Sequence, residues 1–209
     1  PEIKAEMDSW LARNRKSERE YQQLVLRENN VSRVSGDTDY YIADLEYDTN
    51  RSRFDMLAVK LLSTRQDRKR LEGSLAFIEM KYGDGALSGK SGLQKHFSDL
   101  QKYFSVAENR EMLRDEVQIV FNQLYKLGLI KGIKEKNTTL DSENAEYILV
   151  LANHKPASSI LRRELEAIYH SPAYQEFNEW CTFRIARSSY MGYGLYYDQM
   201  ISLGDFFES

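Results

Sequence analysis

The chain has 209 residues, 42% hydrophobic and 29% charged, which suffices for one domain with a sizeable core. A formal net charge of −3 excludes a globally basic coat, so any nucleic-acid binding must rest on local patches. The single cysteine excludes an internal disulfide framework and fits a reducing compartment, expected to be the cytoplasm. No apolar run approaches the roughly 20 residues that span a bilayer, and no signal peptide is visible, so no membrane partner is expected. The chain begins with Pro1 in place of Met, so a trimmed start is expected.

Residues 5–29 read as helix in two pieces, one with an apolar patch of Met7, Trp10 and Leu11, the other with Tyr21, Leu24 and Val25. Ser17 and Glu20 have capping-box spacing and mark a fresh start. Glu20 either closes that cap or reaches a metal site from the helix. Residues 38–47, rich in Tyr with acidic residues two apart, predict a first strand paired with 53–62. Asp44 and Glu46 share its face, as solvated edge residues or as a third carboxylate ligand.

The next stretch carries the chemistry. R-F-D-M-L-A-V-K-L-L and L-A-F-I-E-M-K flank a highly charged connector, the pattern of a hairpin with buried strands and a solvated tip. A hairpin symmetric about Asp67 sets Asp55 opposite Glu79, where paired positions lie about 4.5–5.5 Å apart. Glu79 and Lys81 are two apart and share a face, whereas Met80 points to the other. Charge on an otherwise apolar strand is costly unless it is paired or holds a cation. Two adjacent carboxylates repel, and a divalent ion relieves them. Oxygen ligands suit Mg²⁺ or Mn²⁺, and a nearby Lys can orient an attacking water.

After Lys81, the loop 83–91 is Gly-rich and contains G-K-S, but five residues separate Gly83 from Gly89 and three separate Gly85 from it, where a phosphate-cradling P-loop wants four. Lys90 is free there to meet a phosphate. Residues 91–104 predict a helix with a buried stripe of Leu93, Phe97, Leu100 and Phe104 and a polar, basic side of Gln94, Lys95, His96 and Lys102. Ser91 with Gln94, and Ser105 with Glu108, have capping-box spacing. The second of these helices should run to Gly128 with Met112, Leu113, Val117, Val120, Leu124 and Leu127 as core.

Residues 131–145 read as a polar connector, 146–152 as a buried strand and 156–169 as a helix, followed by a short helix over 171–180. T-F-R-I-A-R and G-L-Y-Y-D-Q-M-I-S-L read as strands of a closing hairpin. His154, His170 and Cys181 lack partners at metal-ligand spacing, so zinc is not expected.

The order helix, three strands, helices, strand, with F-D-M-L-A-V, I-E-M-K and G-L-Q-K-H placed as described, resembles the PD-(D/E)XK, or restriction-endonuclease-like, nuclease superfamily. The resemblance covers about residues 17–155. Phe54 stands where that motif often has Pro, and Ser98 departs from the Gln-x-x-x-Tyr pattern of one large branch.

The resemblance implies an α/β (α+β) fold in αβββαβ order, a central mixed sheet flanked by helices, with residues 156–209 as C-terminal additions to a single domain spanning 1–209. It implies metal-dependent hydrolysis of phosphodiester bonds, most often in DNA. Asp55, Glu79 and the Met80 carbonyl would hold Mg²⁺ or Mn²⁺, with Glu20 or Glu46 as a further ligand. Lys81 would position the water and Gln94 would support the site; Lys90, Lys95, His96 and Lys102 are the candidate nucleic-acid contacts. Two other readings stand beside it: a nuclease-like module without catalysis that binds nucleic acid or protein, and an NTP-binding protein built on loop 83–91.

Overall fold

The structure is a computed structural model that describes residues 6, 17–49, 52–64, 66, 72–133, 138–155, 158–188 and 194–208. The apolar patch expected around Trp10 and the tip of the hairpin at Asp67 lie outside these residues. Six strands form one mixed sheet in sequence order: β1 (Tyr40–Asp48), β2 (Arg53–Lys60), β3 (Glu72–Tyr82), β4 (Thr139–Ala152), β5 (Cys181–Ser188) and β6 (Ile201–Ser202). The pairs β1–β2, β2–β3 and β5–β6 are antiparallel, and β3–β4 and β4–β5 are parallel. The helices are α1 (Ser17–Asn30), α2 (Leu93–Phe104), α3 (Ala107–Lys126), α4 (Ser159–Tyr169), α5 (Pro172–Phe177) and α6 (Leu203–Glu208). The coarse expectation of a mixed sheet flanked by helices is met.

Parallel neighbours need long crossovers, and these share one hand. Two successive crossovers stepping the same way across the sheet therefore put their helices on one face. Leu75, Phe77 and Leu149 on that face pack with Phe97 and Phe104 of α2, Leu113 and Phe121 of α3, Leu165 of α4 and Phe177 of α5. The opposite face, with Met56, Ala76, Ile78 and Val150, is covered by Tyr21 and Val25 of α1 and by Leu195 and Met200. Alternation along β3 sends Ala76, Ile78 and Met80 to one core and Leu75 and Phe77 to the other, as the period of two requires.

Several local expectations fail for identifiable reasons. Helix α2 starts at Leu93, capped by Gly92 without a side-chain bond, so Ser91 and Gln94 form no capping box. A side chain at Gly92 would lie 2.6 Å from the Ser88 carbonyl carbon, so the close fold of the loop onto the helix start requires glycine. Helix α3 starts at Ala107 with Val106 as its cap, while the Ser105 hydroxyl turns back to donate to the Lys102 carbonyl. Its end matches the reading, because Gly128 takes a φ of 73° and its amide donates to Tyr125. Its core stripe matches in part: Leu113, Val117, Val120 and Leu124 pack in the core, whereas Met112 and Leu127 are exposed and Phe121 is buried in their stead.

The polar stretch 139–145 is the first half of β4. The C-terminal segment does more than close the fold. β5 is the fifth strand of the central sheet, parallel to β4, and among the described residues that follow, Ile201–Ser202 pairs with it.

Candidate active site

The β2–β3 hairpin has the register that symmetry about Asp67 demands: Met56 pairs with Ile78, Leu57 with Phe77 and Lys60 with Ser74. One step further along this register, Asp55 lies opposite Glu79. The backbone pairing does not continue there; instead the Met80 amide donates to Asp55 Oδ2 at 2.8 Å. The strands thus part at their ends and a carboxylate takes the amide that the ladder leaves free.

Register also delivers a third acid from β1. A one-residue shift between Ile42 and Asp44 moves the pairing so that Leu45 meets Met56 and Tyr47 meets Phe54. Glu46 then falls across from Asp55, where the unshifted register would have put Leu45. Such bulges re-aim side chains beside functional sites. Glu46 itself has a φ of 57°, a conformation rare for a residue with a side chain, and its carboxylate pairs with Arg53 and lies 3.5 Å from Arg19. Asp44 is exposed and caps the Leu45 amide, as a solvated edge residue would.

Glu79 and Lys81 are 4% and 5% exposed, deep for charged groups, and the Lys81 ammonium lies 2.6 Å from Glu79 Oε1. His96 of α2 approaches the same oxygen, with Nδ1 at 3.1 Å. A fourth acid comes from the first turn of α1, where Glu18 has a buried Oε1 with no hydrogen-bond partner among the described residues.

Burial raises the Asp55 carboxyl to about 7, and the neighbouring Glu79 and Glu18 charges add to it against the Met80 amide and Lys81. Burial likewise raises Glu79 to about 7 despite Lys81, with Glu18 again contributing. Burial and the Lys81 charge push His96 down to about 4, so its ring is neutral at physiological pH. One ammonium inside the cluster is too little for the acids gathered there.

Asp55, Lys81, Glu18 and Glu46 line a cavity of about 360 Å³, whose far wall is loop 83–91 with Ser88. A second cavity of about 250 Å³ meets the site at Glu79. Arg53 and His96 line both. A larger cavity, about 470 Å³, lies at the other end of the strands between Lys60, Gly73 and Asp141, away from these acids.

Two expected residues are elsewhere. Gln94 is exposed and donates to Glu164 Oε2 at 2.7 Å, tying α2 to α4. Positions two apart along a helix are turned by about 200°, so with His96 facing Glu79, Gln94 faces away. Glu20 is exposed for the same reason, two positions from Glu18. Lys90 and Lys102 are exposed, and Lys95 is paired with Asp99.

Among the described residues, no three His, Cys, Asp or Glu side chains are gathered so as to hold a metal ion by themselves. The donor chemistry nevertheless fits a hard cation, because Mg²⁺ is usually held by one or two carboxylates and keeps several waters. The partnerless Glu18 oxygen and the raised Asp55 and Glu79 are groups whose cost a cation would remove.

No helix among the described residues is long and apolar enough to cross a membrane. No family model matches the chain, and no curated protein or solved structure is detectably similar to it.

Proposed function

We propose that this chain is a metal-dependent nuclease that hydrolyses phosphodiester bonds, with DNA as the substrate to test first. The observation that carries the reading is the juxtaposition of Asp55 and Glu79 on adjacent strands with Lys81 bound to Glu79, at the wall of an open cavity. Its support is chemical: buried acids in excess over cations are a feature of functional sites, since a purely structural cluster gains by balancing them. The order of one helix, three antiparallel strands and a parallel fourth strand agrees with the superfamily that the motif resembles.

In this reading Asp55, Glu79 and the Met80 carbonyl hold Mg²⁺ or Mn²⁺, with Glu18 in the helix position first assigned to Glu20. A bound divalent ion supplies charge stabilisation at the phosphoryl group and an acidified water. The Met80 amide fixes the Asp55 carboxylate. The Lys81 ammonium, 2.6 Å from Oε1, holds Glu79, and the His96 ring lies beside the same oxygen. With a cation held by Glu79, the Lys81 ammonium would be free to orient the attacking water or offset charge on the phosphate. Ser88 of the glycine loop lines the same cavity, where its hydroxyl could meet a backbone phosphate, and Lys90 is exposed on that loop.

A second reading, a nucleic-acid- or protein-binding module without catalysis, draws on one observation: Glu79 is already engaged by Lys81 and His96. Incubation of plasmid and single-stranded DNA with Mg²⁺ or Mn²⁺ separates the two. The nuclease reading expects cleavage by the wild type that is lost in Asp55→Ala and Lys81→Ala while both variants remain folded. Binding without cleavage in any metal would favour the module.

A further inference from the structure

Single apolar side chains are common on any surface, whereas a cluster of them marks a contact. Among the described residues, seven large hydrophobic side chains are exposed, and five of these, Val106, Met112, Ile119, Leu127 and Leu129, belong to α3 and its two ends. Met112 is 55% exposed, Ile119 56% and Leu127 71%. A helix turns about 100° per residue, so Met112, Glu116, Ile119 and Gln123 lie within about 60° of one another as one outward stripe. Leu113, Val117 and Phe121 hold the inward side of the helix in the core.

Charge is divided end to end along this helix. Its N-terminal half shows Glu108, Glu111, Asp115 and Glu116, all exposed. The two arginines of that half turn away from the stripe: Arg110 donates to the Phe104 carbonyl and lies over Trp180, and both line a small cavity with Phe77. Asp115 stays 64% exposed despite its contact with Arg114. From Ile119 to Lys131 there is no acid, and Lys126 and Lys131 are exposed.

A partner of a single charge sign meets its like at one end of such a helix, and a parallel copy sets acid against acid. An antiparallel copy lays each acidic half on a basic one, and the positions are self-complementary in that arrangement. A twofold axis between positions 119 and 120 sets Met112 of one copy against Leu127 of the other, with the two Ile119 side chains meeting at the centre. Glu116 then faces Gln123 of the second copy. Its Oε2 accepts from the Tyr47 hydroxyl at 2.6 Å, which leaves Oε1 for the glutamine amide. Asp115 and Lys126 lie on the same flank of the stripe, and a twofold rotation keeps each flank on its own side. Lys126 of one copy therefore comes within about 3 Å, measured along the axis, of the level of Asp115 in the other.

We propose that the outward face of α3 binds a second copy of this chain, antiparallel, about a twofold axis at Ile119. The helix is about 30 Å long. One helix pair of that length is a small interface, so the dimer forms and dissociates with concentration and is not obligate.

Sedimentation velocity of the full chain over a wide range of concentration tests this. Wild type should pass from monomer to dimer, and Ile119→Asp should remain monomeric throughout with an unchanged circular dichroism spectrum. Asp115→Lys and Lys126→Asp should each weaken the dimer about tenfold or more, and the two together should restore it. Oxidation of cysteine variants reads the register, because Cys181 is buried. Ile119→Cys should cross-link to its copy, whereas Met112→Cys, about 22 Å along the axis from its counterpart, should not. Wild type that stays monomeric, or Ile119→Asp that dimerises as wild type does, overturns the second copy as the occupant of this face. Charge reversals that do not rescue each other, or Met112→Cys that cross-links as readily as Ile119→Cys, overturn the antiparallel arrangement.

Discussion

Two clusters of buried charge sit on the opposite faces of the same sheet, and their balance differs. On the α1 face, Glu146 of β4 accepts from Tyr40 at 2.5 Å, from Lys60 at 2.8 Å and from Arg184 at 2.8 Å. Both cations also lie 4.1 Å from the Tyr197 ring, whose hydroxyl accepts from Arg184. Burial works to raise the Glu146 carboxyl, but Lys60, Tyr40 and Arg184 together hold it below its ordinary value. On the other face, Asp55 and Glu79 are raised to about 7, with Lys81 alone among Glu18, Asp55 and Glu79. The first cluster is complete as it stands. The second is costly without something added, and that contrast is what marks it as the place where a cation and a substrate act.

The contrast breaks most visibly at Glu146. Glu146→Ala leaves Lys60 and Arg184 facing each other without their acid and should cost about 3–5 kcal/mol in urea unfolding. Asp55→Asn should do the reverse. It removes a carboxylate that folding disfavours, so at pH 8 without metal it should stabilise the protein by about 2 kcal/mol while abolishing cleavage.

The pH dependence follows from the same shifts. A carboxyl whose pKa is higher folded than unfolded binds more protons in the folded state between the two values. The contribution of Asp55 and Glu79 to stability is therefore present below about 4 and falls as pH rises to about 7. Wild type minus Asp55→Asn, measured by thermal melting in metal-free buffer across that window, should show this decline. Glu18, Glu46, Lys81, Arg53 and His96 are the charged and titratable groups around it.

Smaller effects sharpen the helix positions. Glu18→Gln should weaken metal-dependent cleavage about tenfold, the size of one charge-assisted contact, whereas Glu20→Gln should leave it unchanged. Gln94→Ala should lose at most about 1 kcal/mol of stability, through its bond to Glu164, with no change in cleavage.

The strand half of the candidate site was legible because a strand has a period of two and a hairpin has a symmetry point. Counting from Asp67 is enough to bring position 55 to position 79, and the observed pairing has that register. The helical half was not legible. Capping-box spacing at Ser17–Glu20 and Ser91–Gln94 suggested which residues matter, but tertiary packing rotates α1 and α2 so that Glu18 and His96 face the acids. His96 read as part of a basic surface; only its burial beside Lys81 makes the ring neutral. The Glu146 cluster had no local signal, since Tyr40, Lys60, Glu146 and Arg184 come from four strands that only the sheet order brings together. The bulge that sets Glu46 across from Asp55 was equally invisible, because no glycine or proline marks it in residues 40–48.

Titration of Mn²⁺ into the metal-free protein by calorimetry tests most directly whether the acids around Asp55 are a cation site. Saturable binding by the wild type that is lost in Asp55→Asn and retained in Lys60→Met is expected. Binding that Asp55→Asn leaves undiminished, or no binding by a folded wild type, would contradict it.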